Sequence, residues 1–277
     1  MSNTLNTERA EKLDKLRRIL KDLGRITVGF SGGVDSTFLS CFATETLGAE
    51  NVTAVTAVAP NFADDEIEYA KSLAKRIGIK HICVEVELPE LFWQNPKDRC
   101  YHCKKAVFTQ LLSTVSAGAE EDSASGAVCD GKNKDDETDY RPGSIAAKEL
   151  GVVSPLFDAG LTKAEIRETL KEMGIEIWNK PSFACLASRI PYGTEITEEK
   201  LRAVYKIETE LRKNGFSQVR ARLHGDIIRL ELLEDEFGRL ISDKSLREGL
   251  DKKAHECGFN YVVLDLLGYR MGNLNRL

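Results

Sequence analysis

The run Ser31-Gly32-Gly33-Val34-Asp35-Ser36-Thr37 sets two adjacent glycines and three hydroxyls between two apolar stretches, Ile26-Thr27-Val28-Gly29-Phe30 and Phe38-Leu39-Ser40-Cys41-Phe42. The order reads as strand, loop, helix. Glycines carry no Cβ to keep a polyanion away, and the following helix aims its free N–H groups and the positive end of its dipole at the same spot. Ser31, Ser36 and Thr37 add hydroxyl donors. The run lacks a Gly-Lys-Ser/Thr ending, so the lysine that grips the β- and γ-phosphates in a Walker loop is missing. These residues imply phosphate binding with a different nucleotide chemistry.

A second group of reactive side chains is Cys100-Tyr101-His102-Cys103, with Cys185 further along in Ser182-Phe183-Ala184-Cys185-Leu186-Ala187-Ser188-Arg189. A lone C-x-x-C serves as a redox pair, half of a zinc site or part of an iron–sulfur site. A closed zinc site needs four ligands, for which His102, His81 or Cys83 are the available completions. Three thiolates can instead hold three irons of a 4Fe–4S cluster and leave the fourth iron free for sulfide. Basic and acidic groups supply the remaining chemistry. Mg²⁺ accompanying a nucleotide prefers oxygen ligands, and Asp35 and Asp130 can provide them. Lys104 and Lys132 suit a phosphate or an activated carboxylate, while Arg189, Arg220 and Arg222 can bind phosphate or carboxylate in bidentate fashion. Arg220 and Arg222 alternate on one strand and face the same way, as a clamp on one anion or as a solvated polar sheet face.

Positioning these groups requires a frame of alternating elements. The patterns predict a helix from Ser36 to Leu47, a buried strand from Val52 to Val58, a helix from Asp64 to Ile77 closed by Gly78, and a strand from Ile79 to Leu88. Pro89 to Gly118 reads as a loop and a helix carrying Cys100 and Cys103. Ala127 to Asp130 is a short strand opening into a polar turn-rich segment, and Leu161 to Gly174 a helix with a Thr162/Glu165 capping box. Such alternation predicts an α/β fold with a doubly wound parallel sheet. Ligands then sit at the carboxyl ends of strands, which makes Ala57 and Val58 candidates to hold a base through their backbone. A smaller α+β domain follows: helix 197–214, strands 218–223 and 227–233, helix 244–257 and strand 261–266. The expected domains are 1–193 and 194–277. Cys41, Cys83, Cys129 and Cys257 sit among apolar neighbours and read as core.

The chain has 277 residues, 42% hydrophobic and 30% charged, with a formal net charge of −5. This composition is that of an ordinary globular protein. No apolar run reaches the ~20 residues of a membrane span, and residues 1–20 read as an amphipathic helix rather than a signal peptide. The expected setting is the cytoplasm, where seven cysteines are thiols or ligands rather than disulfides. The acidic balance disfavours a nucleic-acid partner.

Ser-Gly-Gly-x-Asp-Ser resembles the signature of the PP-loop ATP pyrophosphatases. That resemblance implies ATP held through Phe30, Ser31, Gly32, Gly33, Asp35 and Ser36, adenine against Ala57 and Val58, and cleavage between the α- and β-phosphates that leaves AMP on an acceptor oxygen. Asp130-Gly131, Asp139-Tyr140-Arg141-Pro142-Gly143, Ser188-Arg189-Ile190-Pro191-Tyr192-Gly193, and Arg220-Ala221-Arg222 with Asp226 extend the likeness over nearly the whole chain. Together they resemble the LarE-type ATP-dependent sulfur transferases, which make the thiocarboxylates of the nickel-pincer nucleotide cofactor. The resemblance implies adenylation of a carboxylate of pyridinium-3,5-biscarboxylic acid mononucleotide and displacement of AMP by sulfur. It implies Asp130 and Lys132 at the nucleotide, Ser188, Arg189, Glu208, Arg220 and Arg222 at the substrate, and Cys100, Cys103, Cys185, Lys104 and Arg189 in catalysis; Glu208 can equally pair with Arg220 or Arg222. Single-cysteine members surrender the sulfur of the cysteine matching Cys185. This chain adds Cys100 and Cys103, which fits a 4Fe–4S cluster on three cysteines fed by sulfide or a sulfur-donor system. The rival readings are the same reaction with Cys185 as sacrificial sulfur donor and Cys100 and Cys103 as structural or reductive thiols, a PP-loop tRNA thiolase, and, from another class, an ATP-binding module with structural zinc. Homo-oligomerisation is compatible with the sequence.

Overall fold

A computed structural model of the chain describes residues 2–118, 126–137, 142–180 and 184–270. In chain order the elements are α1 (Ser2–Leu23), β1 (Ile26–Gly29), α2 (Val34–Leu47), β2 (Val52–Val58), α3 (Asp64–Ile77), β3 (Lys80–Glu85), α4 (Glu90–Trp93), α5 (Arg99–Gly118) and β4 (Ala127–Cys129). There follow α6 (Pro142–Glu149), α7 (Pro155–Ala159), α8 (Lys163–Glu172), α9 (Glu198–Lys213), β5 (Arg220–His224), β6 (Ile227–Glu231), α10 (Phe237–Ser242), α11 (Lys244–Glu256) and β7 (Tyr261–Leu264). Short 3-10 turns include Glu176–Asn179 and Leu186–Arg189. No helix among the described residues is long and apolar enough to cross a membrane.

The chain divides into two compact units, the first made of residues 1–59, 64–89 and 98–183. Its sheet is parallel, in the order β3-β2-β1-β4. Val153 adds one further parallel bridge beside Cys129. The chain moves outward from β1 to β2 and β3 and then crosses to β4 on the other side, the doubly wound arrangement expected from the alternation. Helix α2 is apolar on most sides because it is enclosed: Val34, Phe38, Leu39, Phe42 and Ala43 are buried. Leu16 and Leu20 of α1 and Ile166 and Leu170 of α8 join the same core. Ion pairs lace α1 to α8 at its rim, from Arg9 to Glu168 (3.0 Å) and Glu172 (2.6 Å), and from Lys12 to Glu165 (2.8 Å).

The expected capping box on α8 forms. Glu165 N donates to Thr162 Oγ1 (3.3 Å) and Thr162 N donates to Glu165 Oε2 (2.8 Å), so two otherwise orphaned amides are satisfied. Thr162→Ala is expected to lower stability by about 1 kcal/mol, seen as a lower urea midpoint at unchanged slope.

The second unit comprises residues 60–63, 90–97 and 184–277. Its sheet runs β5-β6-β7, with β5 and β6 an antiparallel hairpin and β7 parallel to β6. This unit takes up the chain again at Ala184. The physical reason is Asn95, which is buried at φ 59, a conformation asparagine tolerates. Its side-chain amide donates to the carbonyls of Pro191 and Thr194 (both 2.7 Å), and its own carbonyl accepts from Gly193 N (2.9 Å). Leu186 N donates to Asn61 O (2.9 Å) and Ile196 N to Trp93 O (2.8 Å). These bonds tie residues 186–196 to the two short excursions.

Two cysteines differ from expectation. Cys83 is exposed because β3 is an edge strand, and Cys257 is half-buried just beyond α11. Cys41 and Cys129 are core residues as expected, and burial pushes their thiols up to about 11 and about 12. Helices α6, α7 and α10 were not foreseen; all are short, and α7 starts at a proline.

Candidate active site

Sheets that wind both ways bind their ligands in the crevice beyond the carboxyl ends of the strands where the order reverses, which here are β1 and β4. The glycine-rich loop lies at that end. Phe30 N donates to Val55 O (2.8 Å), closing the last rung of β1 on β2. Gly32 then turns at φ +65, and Gly33 is the N-cap of α2 without any side-chain cap. The first-turn amides of α2 are thus left to an anion. Hydroxyls fix the turn: Gly33 N donates to Ser31 Oγ (3.3 Å), Ser36 Oγ donates to Gly33 O (3.2 Å), and the two hydroxyl oxygens lie 3.3 Å apart.

The segment after β4 closes the other side. A Cβ on Gly131 would lie 3.0 Å from Ser36 N and 3.1 Å from Asp35 Cβ, so this backbone approach requires glycine. Asp130 accepts from Lys132 N (3.1 Å). Burial raises its carboxyl above the usual carboxylate range, opposed by the Ser154 hydrogen bond, the Lys132 amide and the charges of Lys104 and Lys132. Lys104, Lys132 and Asp130 therefore share one electrostatic environment. The Lys132 ammonium sits 4.0 Å from the centre of the Phe157 ring.

Asp35 accepts from Asn133 Nδ2 (3.3 Å) and forms an ion pair with Lys163. Lys163 is the first residue of α8, just after the Thr162 cap. Sequence reasoning missed it, because only the packing of α8 on α2 brings it to the loop. Lys180 was missed for the same reason: its Nζ donates to Gly32 O (3.3 Å).

Ala57 and Val58 extend past the end of β1 and are half-buried. Val55 O accepts from the β1 side and Val58 O accepts from Val86 N (2.9 Å) on the β3 side. Strand alternation then turns the peptide groups of Ala57 toward the space beyond β1, while those of Val58 serve the sheet.

Cys100 and Cys103 lie in the first turn of α5, three residues apart and so on one face; Cys100 is exposed and Cys103 buried. The expected zinc completions are engaged elsewhere. His102 Nε2 lies 3.3 Å from Asp98 Oδ2, and His81 Nε2 lies 2.8 Å from Thr56 Oγ1. Among the described residues no group of three or more His, Cys, Asp or Glu side chains is arranged to hold a metal ion.

The second unit carries Cys185, half-buried at the head of the Leu186–Arg189 turn. Arg189 is buried and committed to the protein. Its Nε and Nη2 donate to Glu208 Oε1 and Oε2 (2.7 and 2.8 Å), and its Nη1 donates to the Ala184 and Cys185 carbonyls (2.7 and 3.1 Å) and Ser188 Oγ (2.8 Å). Arg189 thus positions the peptide of Cys185, and Glu208 serves as its counterion instead of reaching outward. Glu208 also accepts from Ala221 N (3.0 Å). Burial pushes its carboxyl up, but the Arg189 charge and these hydrogen bonds bring it below the ordinary glutamate value.

Arg220 and Arg222 are buried, not on a solvated face, because α9 and the 186–189 turn cover that side of β5. Arg222 donates to Ser188 O (2.6 Å) and to Glu231 Oε2 (3.0 Å). Arg220 donates to Val219 O (2.8 Å), and burial together with the Arg189 charge lowers its guanidinium to about 10. An anion at this cluster would relieve that repulsion. Asp139, Tyr140, Arg141, Ser182 and Phe183 of the expected motifs lie outside the described residues.

The NAD synthase family profile matches residues 11–107. The chain is 38% identical over 268 residues to the pyridinium-3,5-bisthiocarboxylic acid mononucleotide synthase of Lactiplantibacillus plantarum, covering 96% of this chain and 94% of that protein. It is 41% identical over 269 residues to an uncharacterised protein of Synechocystis, with 96% and 97% covered. The NH3-dependent NAD+ synthetase of Methanocaldococcus jannaschii is 25% identical over 199 residues, 65% of this chain and 69% of that one. Full-length identity at this level, on a parallel sheet whose first loop is built for phosphate, shows that the chain belongs to the LarE family of PP-loop sulfur transferases.

Proposed function

We propose that the protein adenylates a carboxylate of pyridinium-3,5-biscarboxylic acid mononucleotide with Mg·ATP and then replaces AMP with sulfur. The observation that carries this reading is the loop at Gly32 and Gly33, where α2 begins without a side-chain cap, in a chain that matches the synthase over 96% of its length. In the first step a carboxylate oxygen attacks the α-phosphorus, the bond to the β-phosphate breaks, and pyrophosphate leaves. The loop amides hold the β- and γ-phosphates, Asp35 and Asp130 supply oxygens to Mg²⁺, and Lys104 and Lys132 balance the charge that develops on the α-phosphate. Ala57 holds adenine. Arg220 and Arg222, with the Ser188 peptide between them and Arg189, bind the acidic nucleotide substrate. In the second step a sulfur nucleophile attacks the acyl carbon and AMP departs with the bond electrons.

The sulfur chemistry is assigned to Cys100, Cys103 and Cys185 on the chemistry of their thiols. Three thiols, two of them on one helical turn, are soft donors suited to a 4Fe–4S cluster. Cys100, Cys103 and Cys185 would be the residues to hold it, and the chemistry it would supply is the delivery of sulfide. This reading makes a sulfide-supplying system the partner and the cytoplasm the setting.

The test is iron and acid-labile sulfide analysis of protein reconstituted without oxygen, beside pyrophosphate release. About four irons per chain are expected, and Cys100→Ala, Cys103→Ala and Cys185→Ala are each expected to lose them while ATP binding persists. A full cluster in any single variant overturns the three-ligand assignment. One turnover per chain with Cys185 converted to dehydroalanine would establish the sacrificial route in its place.

A further inference from the structure

The phosphate loop carries no lysine of its own, yet the fold delivers an ammonium to it. Lys180 follows the Glu176–Asn179 turn, and its Nζ donates to the carbonyl of Gly32 (3.3 Å). The same ammonium pairs with Glu66 Oε2 (2.8 Å) and lies 3.9 Å from the centre of the Tyr69 ring. Glu66 and Tyr69 both belong to α3. The Lys180 side chain is only 15% exposed, so its charge is held in place by defined partners and is not a solvated surface cation.

The other contacts of Gly32 show what this arrangement does. A Cβ there would meet Ala70 Cα at 3.2 Å and Tyr69 Cδ1 at 3.4 Å, so the loop is pressed against α3. The peptide joining Gly32 to Gly33 is held at both ends: Lys180 takes its carbonyl, and Ser31 Oγ accepts from its N–H (3.3 Å). A peptide plane has one rotational freedom about its flanking bonds, and glycines on both sides leave that rotation unhindered by side chains. Without a partner on the carbonyl, the plane could turn its oxygen toward the crevice, where it would repel phosphate.

We propose that Lys180 is a positioning residue of the phosphate loop, anchored by Glu66 and Tyr69, which keeps the Gly32 carbonyl turned away from the nucleotide so that the loop presents donors only. This rests on the reading of the loop as an ATP site. The expected signature is selective: nucleotide affinity falls, while the chemical step on bound nucleotide is little changed.

The experiment is calorimetric titration of the full-length protein with Mg·ATP, together with KM and kcat for pyrophosphate release. Lys180→Met is expected to weaken ATP binding by about tenfold or more and to raise KM in parallel, with kcat changed by less than about threefold. Lys180→Arg, which can reach the same carbonyl, is expected to restore most of the affinity. Glu66→Gln, which loosens the anchor but leaves the ammonium, is expected to weaken binding by about threefold, and carries the test if Lys180→Met does not fold. Unchanged affinity in Lys180→Met or in Glu66→Gln, or no recovery with arginine, overturns the proposal. Wild-type protein that binds no Mg·ATP would refute the nucleotide reading, and the clamp with it; normal wild-type binding with an indifferent Lys180→Met would refute the clamp alone.

Discussion

Gly32→Ala is expected to lower kcat/KM for pyrophosphate release at least about a hundredfold, because an ångström-scale displacement of groups that hold a reacting phosphate has that effect. Two independent strains force the displacement. Gly32 adopts φ +65, which disfavours any residue with a Cβ, and the added carbon would sit 3.2 Å from the Ala70 backbone. The loop cannot yield toward α3, so it must move into the crevice. Steady-state assays with saturating Mg²⁺ check this, alongside circular dichroism to show that the fold survives. Activity within a few-fold of wild type would show that the loop does not hold the nucleotide.

The second large effect is on stability. Arg189→Ala is expected to destabilise the second unit by about 3–5 kcal/mol, since it leaves the buried Glu208 carboxylate without its bidentate counterion. Arg212, at 3.4 Å, replaces it poorly. Removing both charges with Arg189→Met and Glu208→Leu together is expected to cost less than the single change. The pH dependence should invert. In the wild type the Glu208 pKa is depressed, so its stabilisation is complete above the unfolded value of about 4.3 and is lost as pH falls through the lower folded value. In Arg189→Ala burial dominates and the folded pKa rises, so the penalty is largest at neutral pH and shrinks on acidification. Urea titrations of both proteins between neutral and mildly acidic pH measure the crossing trend. A parallel decline in both would contradict the ion-pair account.

Local signals carried much of this architecture. The bounds of β2 and α3 follow from patterns confined to single elements, and the α8 capping box from four neighbouring residues. The phosphate loop was legible because strand, glycines and helix are contiguous. Residues delivered by tertiary packing were not. Lys163 and Lys180 reach the loop from segments distant in sequence, and nothing in their own neighbourhoods marks a destination. Pairing of Glu208 with an arginine was open in the sequence, but that the partner is Arg189, in a buried pair that shapes the Cys185 turn, follows only from the packing. Nor does any local signal announce that Asn95, far upstream, fastens Pro191 and Thr194.

The interior thiols of the first unit bear on selectivity in sulfur chemistry. Cys129 ends β4, immediately before Asp130, and Cys41 lies in the enclosed helix α2. With thiols pushed up to about 12 and about 11, no more than about one molecule in ten thousand carries either as thiolate at neutral pH. Polysulfides, persulfides and oxidants react with thiolates, so these two sulfurs react slowly with all of them. The apolar core thereby acts as chemical insulation, keeping two of the seven cysteines out of such exchange.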